Sequence, residues 1–282
     1  MSVKIIVDST ADLLPEIAAQ VKIVPLTIRF GHREFIDGVT IDSTKFYEML
    51  VESDELPTTS QANPGIFAEA FGEAVEAGYE VVCITCSSRL SGTHQSACIA
   101  AEEYPGKVWM VDSRSIALGS AILVQYALEL AEKGLNAEEI SWKLLQKREK
   151  IRLVAMLDTL EYLKKGGRIS KTVAFAGGLL NIKPVICIED GEIKMLGKAR
   201  GSKQGNNLLV QEIQKAGGVD FSKPLLLGYT GLSDSLLQKY IADSAKLWES
   251  YRNQLPVRIV GSVVGTHAGP GAVAVAFFSA EE

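Results

Sequence analysis

The stretch over residues 79–102 constrains the fold more than any other. Residues 79–86 (YEVVCITC) are short, apolar and rich in β-branched side chains, which reads as a buried strand. Ser87-Ser88-Arg89-Leu90-Ser91-Gly92-Thr93 is a polar loop, and residues 95–102 are small and helix-compatible. Strand, hydroxyl loop and helix start in direct succession form the unit from which parallel α/β sheets are built. The unit recurs. Residues 3–7 lead into Asp8-Ser9-Thr10-Ala11-Asp12-Leu13 and a helix opened by Pro15. Residues 107–111 lead into Asp112-Ser113 and helices over 116–132 and 137–147. Strands therefore alternate with helices through residues 1–150, which predicts a parallel sheet covered on both faces.

Other elements of this first half are local readings. Residues 21–30 read as a second strand, 31–38 as a hairpin or loop, and 44–52 as a helix capped by Asp42 or Ser43. Residues 54–63 read as a polar loop, followed by a helix from Pro64 to about residue 77 with Asn63 as its cap. Residues 151–282 change character and predict a smaller α+β domain. Strands are expected at 151–157, 182–188, 192–196, 225–229, 257–264 and 273–278. Asp190-Gly191 is a hairpin signal. A helix is expected over 233–248, a basic glycine loop at 164–170, and a second glycine loop at 265–272. The fold class is thus α/β: an N-terminal parallel-sheet domain, 1–150, and an α+β domain, 151–282.

Formal net charge is −5, so bulk attraction to nucleic acid or an anionic membrane is not expected. No apolar run is long enough to span a bilayer, and the N-terminus is too short in apolar residues for a secretory signal. A cytoplasmic protein is expected. Cys83 and Cys86 form a C-x-x-C, but it lies inside the predicted strand. It lacks the helix N-terminus of a redox motif and the second pair of a zinc site, so core thiols are expected and no metal.

In open parallel sheets, ligands sit at the carboxyl ends of the strands. Asp8-Ser9-Thr10, Ser87-Ser88 and Asp112-Ser113 all fall at such ends. The 87–93 loop combines hydroxyls, a glycine that lets backbone come close, and the unpaired N–H groups of a helix start. That suits an anion; the same residues also serve as helix caps. Thr59, Ser91, Arg168 and His267, each in a loop of small residues, are candidates to hold it. Arg168 would pair with a carboxylate or phosphate, and His267 would donate a hydrogen bond or exchange a proton. A serine hydrolase or transferase, with Ser88 or Ser91 as nucleophile and His94 or His267 as base, is the enzymatic rival. The G-x-S-x-G elbow, the phosphate-binding glycine motifs and any H-E-x-x-H are absent. A small-anion sensor is a third reading.

At these residues the sequence resembles the DegV family of bacterial lipid-binding proteins. The resemblance covers essentially the whole chain. It rests on Asp8-Ser9-Thr10-Ala11-Asp12, Thr59-Ser60-Gln61, Ser87–Thr93, Leu160-Glu161-Tyr162-Leu163-Lys164-Lys165-Gly166-Gly167-Arg168-Ile169-Ser170, and Gly265-Thr266-His267-Ala268-Gly269-Pro270-Gly271-Ala272. It implies that one long-chain fatty acid binds in a tunnel between the two domains. Its carboxylate would be presented to a separate ATP-dependent kinase of the dihydroxyacetone-kinase-like type, which makes acyl phosphate. The chain would then be a binding subunit and not an enzyme, with the fatty acid as its ligand and no cofactor. Carried over residue by residue, Thr59 and Ser91 match the carboxylate-binding hydroxyls, with Gly92 beside them, and Arg168 and His267 extend that network. Arg200 matches a position implicated in engaging the kinase. Residues 175–180, apolar and glycine-rich, are a candidate for part of the tunnel. Two departures stand out: Ala62 where proline is expected, and His94 where an aromatic such as Tyr is usual.

Overall fold

The computed structural model describes residues 2–169, 182–251 and 253–281. Ser170 and the proposed tunnel segment at 175–180 lie outside the described residues. Strands β1 (Val3–Asp8), β2 (Lys22–Val24), β6 (Glu80–Thr85) and β7 (Val108–Asp112) form a sheet in the order β2-β1-β6-β7, with every pairing parallel. The parallel sheet expected from the recurring strand–loop–helix unit is therefore present. A three-stranded antiparallel sheet beside it has the order β4-β3-β5, from β3 (Thr27–Phe30), β4 (Arg33–Ile36) and β5 (Thr58–Ser60).

Two local expectations fail here. The single strand expected at 21–30 is split between two sheets, because Pro25 has no N–H to continue a ladder. The polar loop expected at 54–63 contains β5, whose Thr58-Thr59-Ser60 has β-compatible hydroxyl residues but no apolar face to signal a strand. The caps hold. Asp42 accepts from Lys45 N at 2.8 Å to open α2 (Ser43–Glu52), and Asn63 accepts from Ile66 N at 3.1 Å to open α3 (Pro64–Glu76).

Residues from 151 onward build a six-stranded mixed sheet. It comprises β8 (Ile151–Met156), β9 (Ile182–Glu189), β10 (Glu192–Arg200), β11 (Leu226–Tyr229), β12 (Val257–Ile259) and β13 (Val273–Phe278). Their order is β10-β9-β8-β13-β11-β12, antiparallel except for β11 with β12. The β9–β10 hairpin turns through Asp190 (φ 50°) and Gly191 (φ 79°), as the Asp-Gly signal requires.

Period-two alternation sends β13 to two cores. Ala274, Ala276 and Phe278 face one, and Val273, Val275 and Phe277 the other. The first core is shared with the parallel sheet through α5 (Ala117–Glu132), a helix that packs against strands of both sheets. Helix α6 (Ala137–Lys147) packs beside it, opened by a capping box between Asn136 and Glu139. The second core lies under α8 (Gly201–Lys215), and the outer face of the parallel sheet is covered by α3 and α4 (Thr93–Ala101). Between β8 and β9, α7 (Glu161–Lys165) is the short helical turn expected before the basic loop.

Two further readings are corrected in this half. The helix expected over 233–248 breaks at Ser244 into α9 (Ser235–Asp243) and α10 (Ala245–Trp248). Ser244 Oγ donates back to Tyr240 O at 2.6 Å and accepts from Trp248 Nε1 at 2.9 Å, so its side chain competes with the backbone. The strand expected at 257–264 stops at Ile259, and the first half of the glycine loop expected at 265–272 belongs to a helix, α11 (Ser262–Ala268). A short apolar run such as Val260 to Val264 does not distinguish strand from helix by periodicity. Cys83 and Cys86 are buried free thiols, and burial pushes both well above the ordinary thiol range. Among the described residues no group of side chains is arranged to hold a metal, and no helix is long and apolar enough to cross a membrane.

Candidate functional site

A cavity of about 420 Å³ opens between the parallel sheet's loops and the mixed sheet. Thr59, Ser91, Gly92, Arg168 and His267, drawn from four distant parts of the chain, all line it. Thr59 comes from β5, held in register opposite Ile28 of β3. Ser91 and Gly92 form the loop that opens α4, with Gly92 at the cap position. Arg168 follows the glycine turn after α7, and His267 sits in the last turn of α11. Arg200 is not part of this cavity; it is exposed at the end of β10.

The polar end is tightly wired. Thr59 Oγ1 and His267 Nε2 are 2.9 Å apart. Ser91 Oγ lies 2.9 Å from Thr93 Oγ1 and accepts from Thr93 N at 3.2 Å. Arg168 donates through Nε to Leu90 O at 3.3 Å and through Nη1 to Gly166 O at 2.5 Å, which fixes its guanidinium beside the Ser91 loop. Burial first, and the Arg168 charge second, lower His267 from its ordinary 6.5 to about 4. The imidazole is therefore neutral at pH 7, and Arg168 supplies the positive charge at this end. Gly92 is exposed, and the Gln61 side chain lies across it so closely that a Cβ there would come 2.0 Å from Gln61 Oε1. Gln61 Nε2 donates onward to Ser96 Oγ on α4 at 2.9 Å.

The rest of the cavity is apolar, with Leu153, Leu157, Ile186, Ile193, Val260 and Val263 among its walls. Side chains from β8, β9, β10 and α11 thus face the loops of the parallel sheet across one space. A charged, donor-rich end joined to an aliphatic chamber has the chemistry to hold an amphiphilic anion.

Other sequence candidates have structural roles. Asp8, 1% exposed, accepts from Thr10 N, Thr10 Oγ1 and Cys86 N, so it ties two loops together. Ser88 Oγ donates to Asp112 Oδ2 at 2.6 Å, tying two more. The three strand-end loops do meet at one sheet edge, and Thr10, residues 90–92 and Ile116 are the parts of them that line the cavity. His94 Nδ1 pairs with Thr85 Oγ1 at 2.8 Å and its Nε2 lies 3.4 Å from Cys98 Sγ. His267 faces Thr59. Neither histidine is hydrogen-bonded to Ser88 or Ser91 among the described residues, so the nucleophile–base contact of a serine hydrolase is not assembled. The sequence pointed to Thr10 only as part of a polar strand end, and it did not single out Gln61 and Thr230 as cavity residues. Gln61 had a signal, its place two residues after Thr59; Thr230 had none, because it is brought in only by sheet pairing.

The family model described as "Uncharacterised protein, DegV family" matches residues 2–280. A DegV domain-containing protein of Caldanaerobacter subterraneus subsp. tengcongensis is 34% identical over 281 residues, covering 98% of both chains. The solved structure of a DegV family protein from Thermus thermophilus, described by its fatty acid binding, superposes with a TM-score of 0.87 at 31% identity, covering 99% of this chain and 100% of that one. The Streptococcus pneumoniae fatty acid kinase (Fak) B3 protein, loaded with linoleic acid, superposes with a TM-score of 0.85 at 27% identity and 99% coverage of both. With a family match running nearly end to end and superposition over nearly the whole chain, this protein belongs to the DegV family.

Proposed function

We propose that this protein binds one long-chain fatty acid and presents its carboxylate to a separate ATP-dependent kinase that forms the acyl phosphate. The observation that carries the reading is the two-part cavity between the loops of the parallel sheet and the mixed sheet, with a cationic, hydroxyl-rich end continuous with an aliphatic chamber. Ser91 and Thr59 donate hydroxyl protons to the carboxylate, the start of α4 offers the backbone N–H of Gly92, and Arg168 neutralises the charge. The acyl chain supplies most of the affinity. Burying a dozen methylenes is worth about 10 kcal/mol before the costs of association, against about 1 kcal/mol for a typical single hydrogen bond. The likeness to fatty-acid-loaded DegV structures, one of them a fatty acid kinase B protein, supports the same ligand class and the kinase partner. Arg200, exposed and outside the cavity, is in a position to contact that partner.

Competition binding with oleate, butyrate and inorganic phosphate tests the ligand. Oleate binds and the two short anions do not compete at millimolar concentration; equal competition by butyrate or phosphate would contradict the role of the apolar chamber. Adding an ATP-dependent fatty acid kinase should convert the bound acid to acyl phosphate, whereas the protein with ATP alone leaves it unchanged.

A further inference from the structure

The loop that bears Ser91 is organised by a residue that does not touch the cavity. Ser87 is fully buried. Its N–H donates to Ser115 O at 2.8 Å, and its carbonyl accepts from Leu90 N at 3.0 Å and Ser91 N at 3.1 Å. Its hydroxyl accepts from Arg89 N at 3.2 Å and donates to Gly191 O at 2.7 Å. The last bond crosses from the parallel sheet's loop to the tip of the β9–β10 hairpin. Gly191 is itself buried, with φ 79°, and a Cβ there would come 2.5 Å from Ser87 Oγ. The hairpin tip therefore needs glycine both for its turn and for the serine pressed against it. On either side of that tip, Ile188 and Ile193 line the cavity.

We infer that Ser87 is a positioning residue that locks the carboxylate-binding loop to the hairpin forming the acyl wall, so that head-group and chain recognition share one fixed geometry. The inference rests on the fatty-acid reading for its ligand and deepens it. The Ser91 amide is held by the Ser87 carbonyl, so the direction of the Ser91 hydroxyl depends on where Ser87 sits. Ser87 is in turn held from both sides, by Ser115 ahead of α5 and by Gly191 on the mixed sheet. Removing the hydroxyl leaves the buried Gly191 carbonyl without its donor and releases Arg89 N, and both changes loosen the loop and the hairpin together. A site whose donors must meet a carboxylate within a few tenths of an ångström loses discrimination when its support is loose.

The test compares Ser87→Ala and Gly191→Ala with the unaltered protein. Dissociation constants for oleate and oleyl alcohol are measured by competition against radiolabelled palmitate, and amide hydrogen exchange at Leu90 and Ser91 is measured without ligand. Ser87→Ala should lower the preference for the acid over the alcohol about tenfold, while general loosening of the fold would weaken both ligands alike. Gly191→Ala, which breaks the same contact from the other side, should give the same change, and the double variant little more than either. Leu90 and Ser91 amides should exchange faster in both variants. An acid-over-alcohol ratio that stays unchanged in Ser87→Ala, or exchange at Ser91 that stays slow, overturns the inference. The exchange arm needs no ligand, so it decides the lock even where the unaltered protein binds neither oleate nor the alcohol, a result that would count against the fatty-acid reading alone.

Discussion

His267 shows how a single side chain can be tuned by its surroundings. Its neutral imidazole has one N–H to place. Nδ1 is buried and has no hydrogen-bond partner among the described residues, and Nε2 faces Thr59 Oγ1. A proton on Nδ1 would strand a buried donor, whereas a proton on Nε2 leaves only an acceptor unpaired, the cheaper choice. The hydrogen-bond pattern thus assigns Nε2–H donating to Thr59 Oγ1, which frees the Thr59 proton for a carboxylate. Nitrogen-15 shifts of His267 at pH 7 should report the Nε2-protonated tautomer. Because His267 is lowered from 6.5 to about 4, the unfolded chain binds the extra proton first as pH falls. Stability is therefore lost between about pH 6.5 and pH 4, by about 3 kcal/mol from this group. Denaturant unfolding at pH 7 and pH 4 should show that loss in the unaltered protein and a smaller one in His267→Gln. Asp12 acts with the opposite sign. Burial raises it to about 8, although Gly261 N donates to its Oδ1 at 2.6 Å. The folded state then holds a proton that the unfolded state releases above about pH 4, and stability is lost as pH rises towards 8. Asp12→Asn keeps an acceptor for Gly261 N, so relative to the unaltered protein it should gain stability between pH 5 and pH 8. A flat difference across that range would contradict a protonated Asp12.

At the scale of elements, the chain was legible where a signal is local and obscure where tertiary contacts decide. Asp42 and Asn63 announced helix starts, Asp190-Gly191 announced a hairpin, and the three strand–loop–helix units announced a parallel sheet. The Ser91 loop and the basic loop at Arg168 were readable as anion-binding chemistry because glycine and donors sit side by side. That β5 carries Thr59 and that α11 carries His267 was not readable. Three hydroxyl residues make a strand only because β3 offers an edge, and α11 forms around glycines only because something packs closely on it. Gly265 is the clearest case: a Cβ there would come 2.6 Å from Tyr47 Oη and 2.8 Å from Phe46 Cε1, both fully buried on α2. Tyr47 also donates to Val260 O at 3.0 Å, just ahead of α11. Gly265→Ala should therefore destabilise the protein by about 1–3 kcal/mol, despite the better helix propensity of alanine, because α11 must move off α2. Thermal unfolding checks this, and a raised melting temperature would mean that the contact yields more easily than the geometry implies.

Across the whole molecule, two sheets share α5 and enclose one cavity, and neither half supplies that cavity alone. The donors come mainly from loops of residues 1–150 together with Arg168 and His267, and much of the aliphatic wall comes from β8, β9 and β10. This division explains why the ligand class could be approached from sequence only through the assembled set of motifs. Each loop by itself reads equally well as a helix cap. It also sets the expectation for head-group variants. Arg168→Ala removes the cation at the polar end but no aliphatic wall, so it should weaken oleate binding by roughly ten- to a hundredfold while leaving the unfolding transition in place. The central claim is that the cavity holds a long-chain acid, and the most direct test needs no added lipid. Protein purified from a bacterial host is analysed by native and then denaturing mass spectrometry. The account predicts a mass excess in the native spectrum that leaves on denaturation as a single long-chain fatty acid. A native mass equal to the bare chain, unchanged after incubation with oleate or palmitate, would contradict it.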